Sequence, residues 1–88
     1  MFCLVLPPRF KRNLRGFLKR HPELGEVLQE KLTLLERNPM DSRLKTHRLT
    51  GKLKHCFAAW ITYEYRLVFS LDDNSVFLLA IGTHDEVY

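Results

Sequence analysis

Between Leu53 and Gly82 the chain alternates with a period of two, and the alternation is broken twice by turn residues. A period of two belongs to a strand, whose successive side chains leave opposite faces of a sheet. Leu53, His55, Phe57, Ala59 and Ile61 share one side; Lys54, Cys56, Ala58 and Trp60 share the other. Tyr63-Glu64 turns the chain. Tyr65, Leu67, Phe69 and Leu71 then oppose Arg66, Val68 and Ser70. Asp72-Asp73-Asn74 reads as a hairpin turn. Ser75–Gly82 reads as a last strand, with Phe77, Leu79 and Ile81 opposite Val76, Leu78 and Ala80. Such a meander has one bulky apolar face, which other elements must cover. Its second face carries Lys54, Trp60 and Arg66 and, if the alternation continues past Gly82, His84 as well.

The first half of the chain supplies the cover. Phe2–Leu6 is a short apolar run ended by Pro7-Pro8, a strand by length and residue type. From Arg9 to Arg20, Phe10, Leu14, Phe17 and Leu18 recur at helical spacing, and Pro8 suits a first helical turn. His21-Pro22 breaks that helix, which makes His21 a helix-end residue. A second helix runs to Asn38-Pro39, with Leu24, Val27, Leu28, Leu32 and Leu35 on its apolar face. After a polar connection (Pro39–Thr46), His47–Lys54 reads as two short extended pieces joined at Thr50-Gly51. The order is β-α-α-β-β-β. It predicts an α+β domain, with a helix hairpin packed on one face of a small, mainly antiparallel sheet. At 88 residues the chain is expected to form one domain, spanning 1–88.

Charge narrows the class of partner. The net charge is +4, which favours anionic partners. The first helix holds Arg9, Lys11, Arg12, Arg15, Lys19 and Arg20 and no acid. That stretch is a solvated helix face, a footprint for a polyanion, or a dock for an acidic protein. The two cysteines, Cys3 and Cys56, lie in no metal-ligand spacing, and reduced, buried thiols are expected. MFCLVLPP is too short for a signal peptide's apolar region or a membrane span, so a cytoplasmic protein is expected. No HExxH, carboxylate cluster or Cys/His grouping points to a metal, and no cofactor is expected.

The β-α-α-β-β-β order, the stretch HRLTGKLK, the strand YEYRLVFSL and the tail IGTHDEVY resemble the RelE/ParE superfamily of bacterial toxins. Within it the likeness is to the YafQ-like branch of messenger-RNA interferases. The resemblance implies a toxin that cuts messenger RNA in the ribosomal A site. It also implies a cognate antitoxin that holds the toxin inactive in a heteromeric complex. By position, the family's histidine before LTG falls on His47, the GTH histidine on His84 and the terminal aromatic on Tyr88. The acid–aromatic pair entering a strand falls on Glu64 and Tyr65. Trp60 stands where relatives often carry a further histidine, and Ala80 where they carry an arginine. Arg66 occupies a strand position where many relatives place an arginine.

Cutting RNA without a metal needs a base for the 2′-hydroxyl proton, an acid for the 5′ oxygen, and positive charge on the phosphorane. Histidine serves either proton role, since an ordinary imidazole titrates near pH 6.5. The expected catalytic set is His84 with His47, Glu64 as substitute, and Arg66 as the stabilising charge. Lys52 and Lys54 are expected to hold flanking phosphates. Trp60, Tyr65 and Tyr88 are the RNA-binding aromatics. Each has a plainer role too: Arg66 as an ion-pair partner of Glu64 or Asp85, Trp60 as core, the lysines as guards of a sheet edge. His55, on the helix-covered side, is expected to be structural. A rival function on the same fold is a ParE-like toxin that binds DNA gyrase without catalysis.

Overall fold

The computed structural model describes residues 1–88. In chain order the elements are β1 (Cys3–Val5), α1 (Pro8–Arg20), α2 (Gly25–Arg37), β2 (His47–Arg48), β3 (Phe57–Trp60), β4 (Tyr65–Asp72), β5 (Ser75–Thr83) and α3 (His84–Val87). Single 3-10 turns occupy Pro22–Leu24, Ser42–Leu44 and Gly51–Leu53. One five-stranded sheet results, in the order β1-β5-β4-β3-β2. β1 runs parallel to β5, and every other neighbour is antiparallel. This is the α+β arrangement expected from the sequence.

The helices begin and end where proline and apolar spacing dictate. Pro7 is extended and Pro8 opens α1, where a missing N–H costs nothing. α1 buries Phe10 and Phe17, and α2 buries Leu28 and Leu35. These pack on Ala59, Ile61, Leu67, Phe69, Val76, Leu78 and Ile81 of the sheet and its margin. The sheet's other face has a smaller core of its own. There Leu49, Ala58 and Val68 gather Leu53, Cys56, Ala80 and Val87. This second core holds the 49–56 segment and the C-terminal turn on the face away from α1 and α2.

Two registers differ from strict alternation. In β5 the expected helix-side set was Phe77, Leu79 and Ile81. The structure buries Val76, Leu78 and Ile81 instead and leaves Leu79 43% exposed. The cause is a bulge: Val68 pairs with Ala80 but Phe69 pairs with Leu78, so Leu79 is an extra residue. One inserted residue flips every side chain before it to the other face. Asn13 of α1 seals the strand just beyond. Its side chain accepts from Ile81 N–H (2.9 Å) and donates to Ile81 C=O (3.1 Å).

The second difference lies before β3. Gly51, at φ 67°, turns the chain into a 3-10 turn, so strand pairing begins only at Phe57. Lys52 and Lys54 therefore sit on a turn and not on a strand face. His55 is exposed in the same turn, where a helix-covered position was expected. Cys3 is exposed and Cys56 half-buried, so neither is the buried thiol expected. No helix is long and apolar enough to cross a membrane.

Candidate active site

The site forms where β4 enters the sheet and β5 leaves it. Alternation past Gly82 does not place His84. β5 ends at Thr83, and His84 opens the single turn α3. A capping box makes this turn: Thr83 Oγ1 accepts from Glu86 N–H, and the Glu86 carboxylate accepts from Thr83 N–H at 2.8 Å. That backbone bond holds the Glu86 carboxyl below its ordinary range. Gly82 permits the fold-back, since a Cβ there would lie 3.0 Å from Glu86 Oε1.

One helical turn sets residues four apart side by side. The ring of Tyr88 therefore stands edge-on to His84, centroids 4.1 Å apart. Its hydroxyl reaches His47 Nε2 at 3.2 Å, across 41 positions of sequence. Burial pushes the Tyr88 phenol's pKa up, and the nearby Arg66 guanidinium opposes that shift. Two imidazoles and one phenol thus converge, with Arg66 close to the phenol.

Arg66 is 8% exposed, the one charged residue in the core. It pairs across strands with Trp60 on β3 and Gly82 on β5. Its Nη1 donates to the carbonyls of Thr62, Tyr63 and Tyr65 at 2.8–3.2 Å. Its guanidinium lies over the Trp60 indole. It makes no ion pair with Glu64 or Asp85. An open hollow of about 540 Å³ faces it, lined by Trp60, Glu64, Thr83, His84 and Asp85 among others.

The remaining expected residues divide. Glu64 is exposed on the hollow's rim. Lys52 lies beside Tyr88 in an adjoining hollow, whereas Lys54 lines neither. Tyr65 is absent from the cluster. Its ring turns to the helix side, 5.2 Å from Phe17 and 4.8 Å from His21, as the β4 register requires. Lys45 is a member the sequence did not signal. In a left-handed conformation (φ 50°), it sets its Nζ 4.6 Å from the Trp60 ring centre. Its carbonyl lies 3.5 Å from His47 Nδ1. No group of three or more His, Cys, Asp or Glu is placed to hold a metal.

Residues 4–88 match the family described as the bacterial toxin of type II toxin-antitoxin system, YafQ. The chain belongs to the YafQ family. Solved structures agree on the fold. A copper-bound mutant toxin from Helicobacter pylori superposes with a TM-score of 0.83 at 28% identity, covering 100% of both chains. The E. coli DinJ-YafQ complex matches at 0.82 and 22%, covering 100% of this chain and 99% of that one. The YoeB-YefM complex from Staphylococcus aureus matches at 0.76 and 21%, covering 96% and 98%. No curated protein sequence matches the chain. As a YafQ-family member it is a type II toxin, with His47, His84 and Arg66 gathered at one end of its sheet.

Proposed function

We propose that this toxin is a metal-independent endoribonuclease that cuts messenger RNA, in the ribosomal A site. The observation that carries the reading is the convergence of His47 and His84 on one phenol beside a pinned Arg66. The 2′-oxygen would attack the adjacent phosphorus. A bond from phosphorus to the 2′-oxygen forms and the bond to the 5′-oxygen breaks, leaving a cyclic phosphate. His47 already holds a hydroxyl at Nε2, which favours it as base for the 2′ proton, with His84 returning a proton to the 5′-oxygen. Glu64, on the rim, is the substitute base. The bonds of Arg66 to backbone carbonyls all run through Nη1, so the rest of the guanidinium, which faces the Tyr88 phenol, is the part that would meet the phosphorane oxygens. Lys52 would hold a flanking phosphate, and Tyr88 would stack a base.

A cognate antitoxin completes the reading. The E. coli and S. aureus neighbours were solved as complexes, DinJ-YafQ and YoeB-YefM. A heteromeric complex of the same kind is proposed for this toxin. A gyrase-binding toxin would need no paired imidazoles, and nothing in the site favours that rival.

The test is primer extension on messenger RNA in a translating extract, wild type beside His84→Ala. Discrete cuts within codons, absent in the variant, are expected. A folded wild type that leaves messages intact would overturn the nuclease and favour gyrase binding.

A further inference from the structure

The six cations of α1 take no part in the site. Of the chain's fourteen lysines and arginines, six stand on this helix, which has no acid. The other eight are outnumbered by the ten acids, so α1 alone makes the protein basic. All six are exposed, and none forms an ion pair.

Most of these charges do not serve the helix; only Lys19 and Arg20, in its last turn, suit the dipole. Arg9, Lys11 and Arg12 crowd its amino end, where the dipole disfavours cations. Lys11–Arg15 and Arg15–Lys19 are like-charged pairs four apart, which weaken a helix. α2, of the same length, mixes Glu26, Glu30, Lys31, Glu36 and Arg37. A charge set that opposes its own helix over the first turns and along the outward face is explained by a partner.

The placement says what kind. Phe10 and Phe17 face the core, so at 3.6 residues per turn Lys11, Arg12, Arg15 and Lys19 face outward. Arg9 and Arg20 turn instead to a groove shared with Glu86. The outward stripe spans about 12 Å at 1.5 Å per residue. A stacked strand offers about three or four phosphates over that length, at about 3.4 Å each. No large apolar side chain interrupts the stripe, so a protein segment would find no anchor there. Backbone phosphates need only cations.

We infer that α1 is a second nucleic-acid surface, which grips the backbone phosphates of structured RNA through Lys11, Arg12, Arg15 and Lys19. The sheet separates this stripe from the candidate active site. The phosphates it holds therefore belong to a different segment from the strand at His84. That the polyanion is RNA rests on the proposed function; the phosphate grip does not.

The experiment is binding of a labelled RNA hairpin, 2′-O-methylated throughout so that it cannot be cut, across a salt series. Wild type is compared with Lys11→Gln/Arg15→Gln/Lys19→Gln. The variant is expected to bind at least about tenfold more weakly near 0.1 M salt, with its log–log salt slope reduced by about 2. Its melting temperature should be equal or higher, since like-charge repulsion is removed. Unchanged affinity and slope would overturn the inference. Equal binding of a B-form DNA duplex would overturn RNA as the partner, and stripe-dependent binding of polyglutamate in preference to the hairpin would replace it with an acidic protein. Because no cleavage is read, loss of the nuclease reading would leave the outcome interpretable.

Discussion

Arg66 and Trp60 are direct cross-strand partners, and the guanidinium carbon lies 4.2 Å from the centre of the indole. With Nη1 tied to three carbonyls, the stack fixes the plane of the only charge buried in the protein. Lys45 covers the same indole, so Trp60 is already occupied by two cations. A cation–π contact of this kind is worth about 0.5–2 kcal/mol. Trp60→Ala should therefore lower kcat by about three- to thirtyfold with little change in KM, and Trp60→Phe should restore most of the loss. Single-turnover cleavage separates the two constants. If Trp60 instead stacks an RNA base, KM rises and kcat holds.

Tyr88 joins two roles that one substitution can split. Its ring packs on His84 and its hydroxyl meets His47. Tyr88→Phe keeps the ring and should cost a fewfold in cleavage. Tyr88→Ala loses both and should cost at least about tenfold. The phenol's raised pKa adds a pH signature. Folding favours the protonated form, so its contribution to stability is complete below pH 10 and fades as pH rises through the folded value. In a spectrophotometric titration, Tyr88→Phe should remove one tyrosine ionisation above pH 10.

The Thr83–Glu86 cap makes the turn that carries His84 sensitive to acid. The Glu86 carboxyl is held low, chiefly by the Thr83 N–H. Its contribution is therefore complete above the ordinary glutamate range and is lost as pH falls through the depressed value. The protection factor of the Thr83 amide, taken relative to the slower intrinsic exchange in acid, should fall on acidification before those of the sheet's amides do. Glu86→Ala should bring the same loss of protection at neutral pH and reduce cleavage, with the core strands still protected. Equal exchange in wild type and variant would mean that the cap does not hold α3.

The three-strand meander, the helix hairpin and their shared face were legible because period-two and period-3.6 patterns report burial directly. His47, His84 and Arg66 were legible as candidates by residue type and resemblance. The turn that assembles them was written in Thr83-His84-Asp85-Glu86, a capping-box pattern that alternation overrode. Lys45 gave no such signal, because a lysine at positive φ is fixed by tertiary packing and not by local preference. The turn at Thr50-Gly51 was legible, but its extent to His55 was not, because the alternating residues from Leu53 continue the strand pattern.

Leu78 and Leu79 give the sharpest contrast between pattern and structure. By alternation alone Leu79 faces the helices and Leu78 does not. The bulge reverses this: Leu78 is fully buried opposite Phe69, and Leu79 stands in solvent. Leu78→Ala removes core atoms and leaves a cavity, at a cost of about 2–5 kcal/mol. Leu79→Ala removes atoms already in contact with water and should cost about 0.5 kcal/mol. Urea unfolding of the two variants measures the difference, with Leu78→Ala moving the midpoint far more. If Leu79→Ala proved the more damaging, β5 would have to run without its bulge. Ile81 would still face the helices, but Phe77 would replace Val76 in the core.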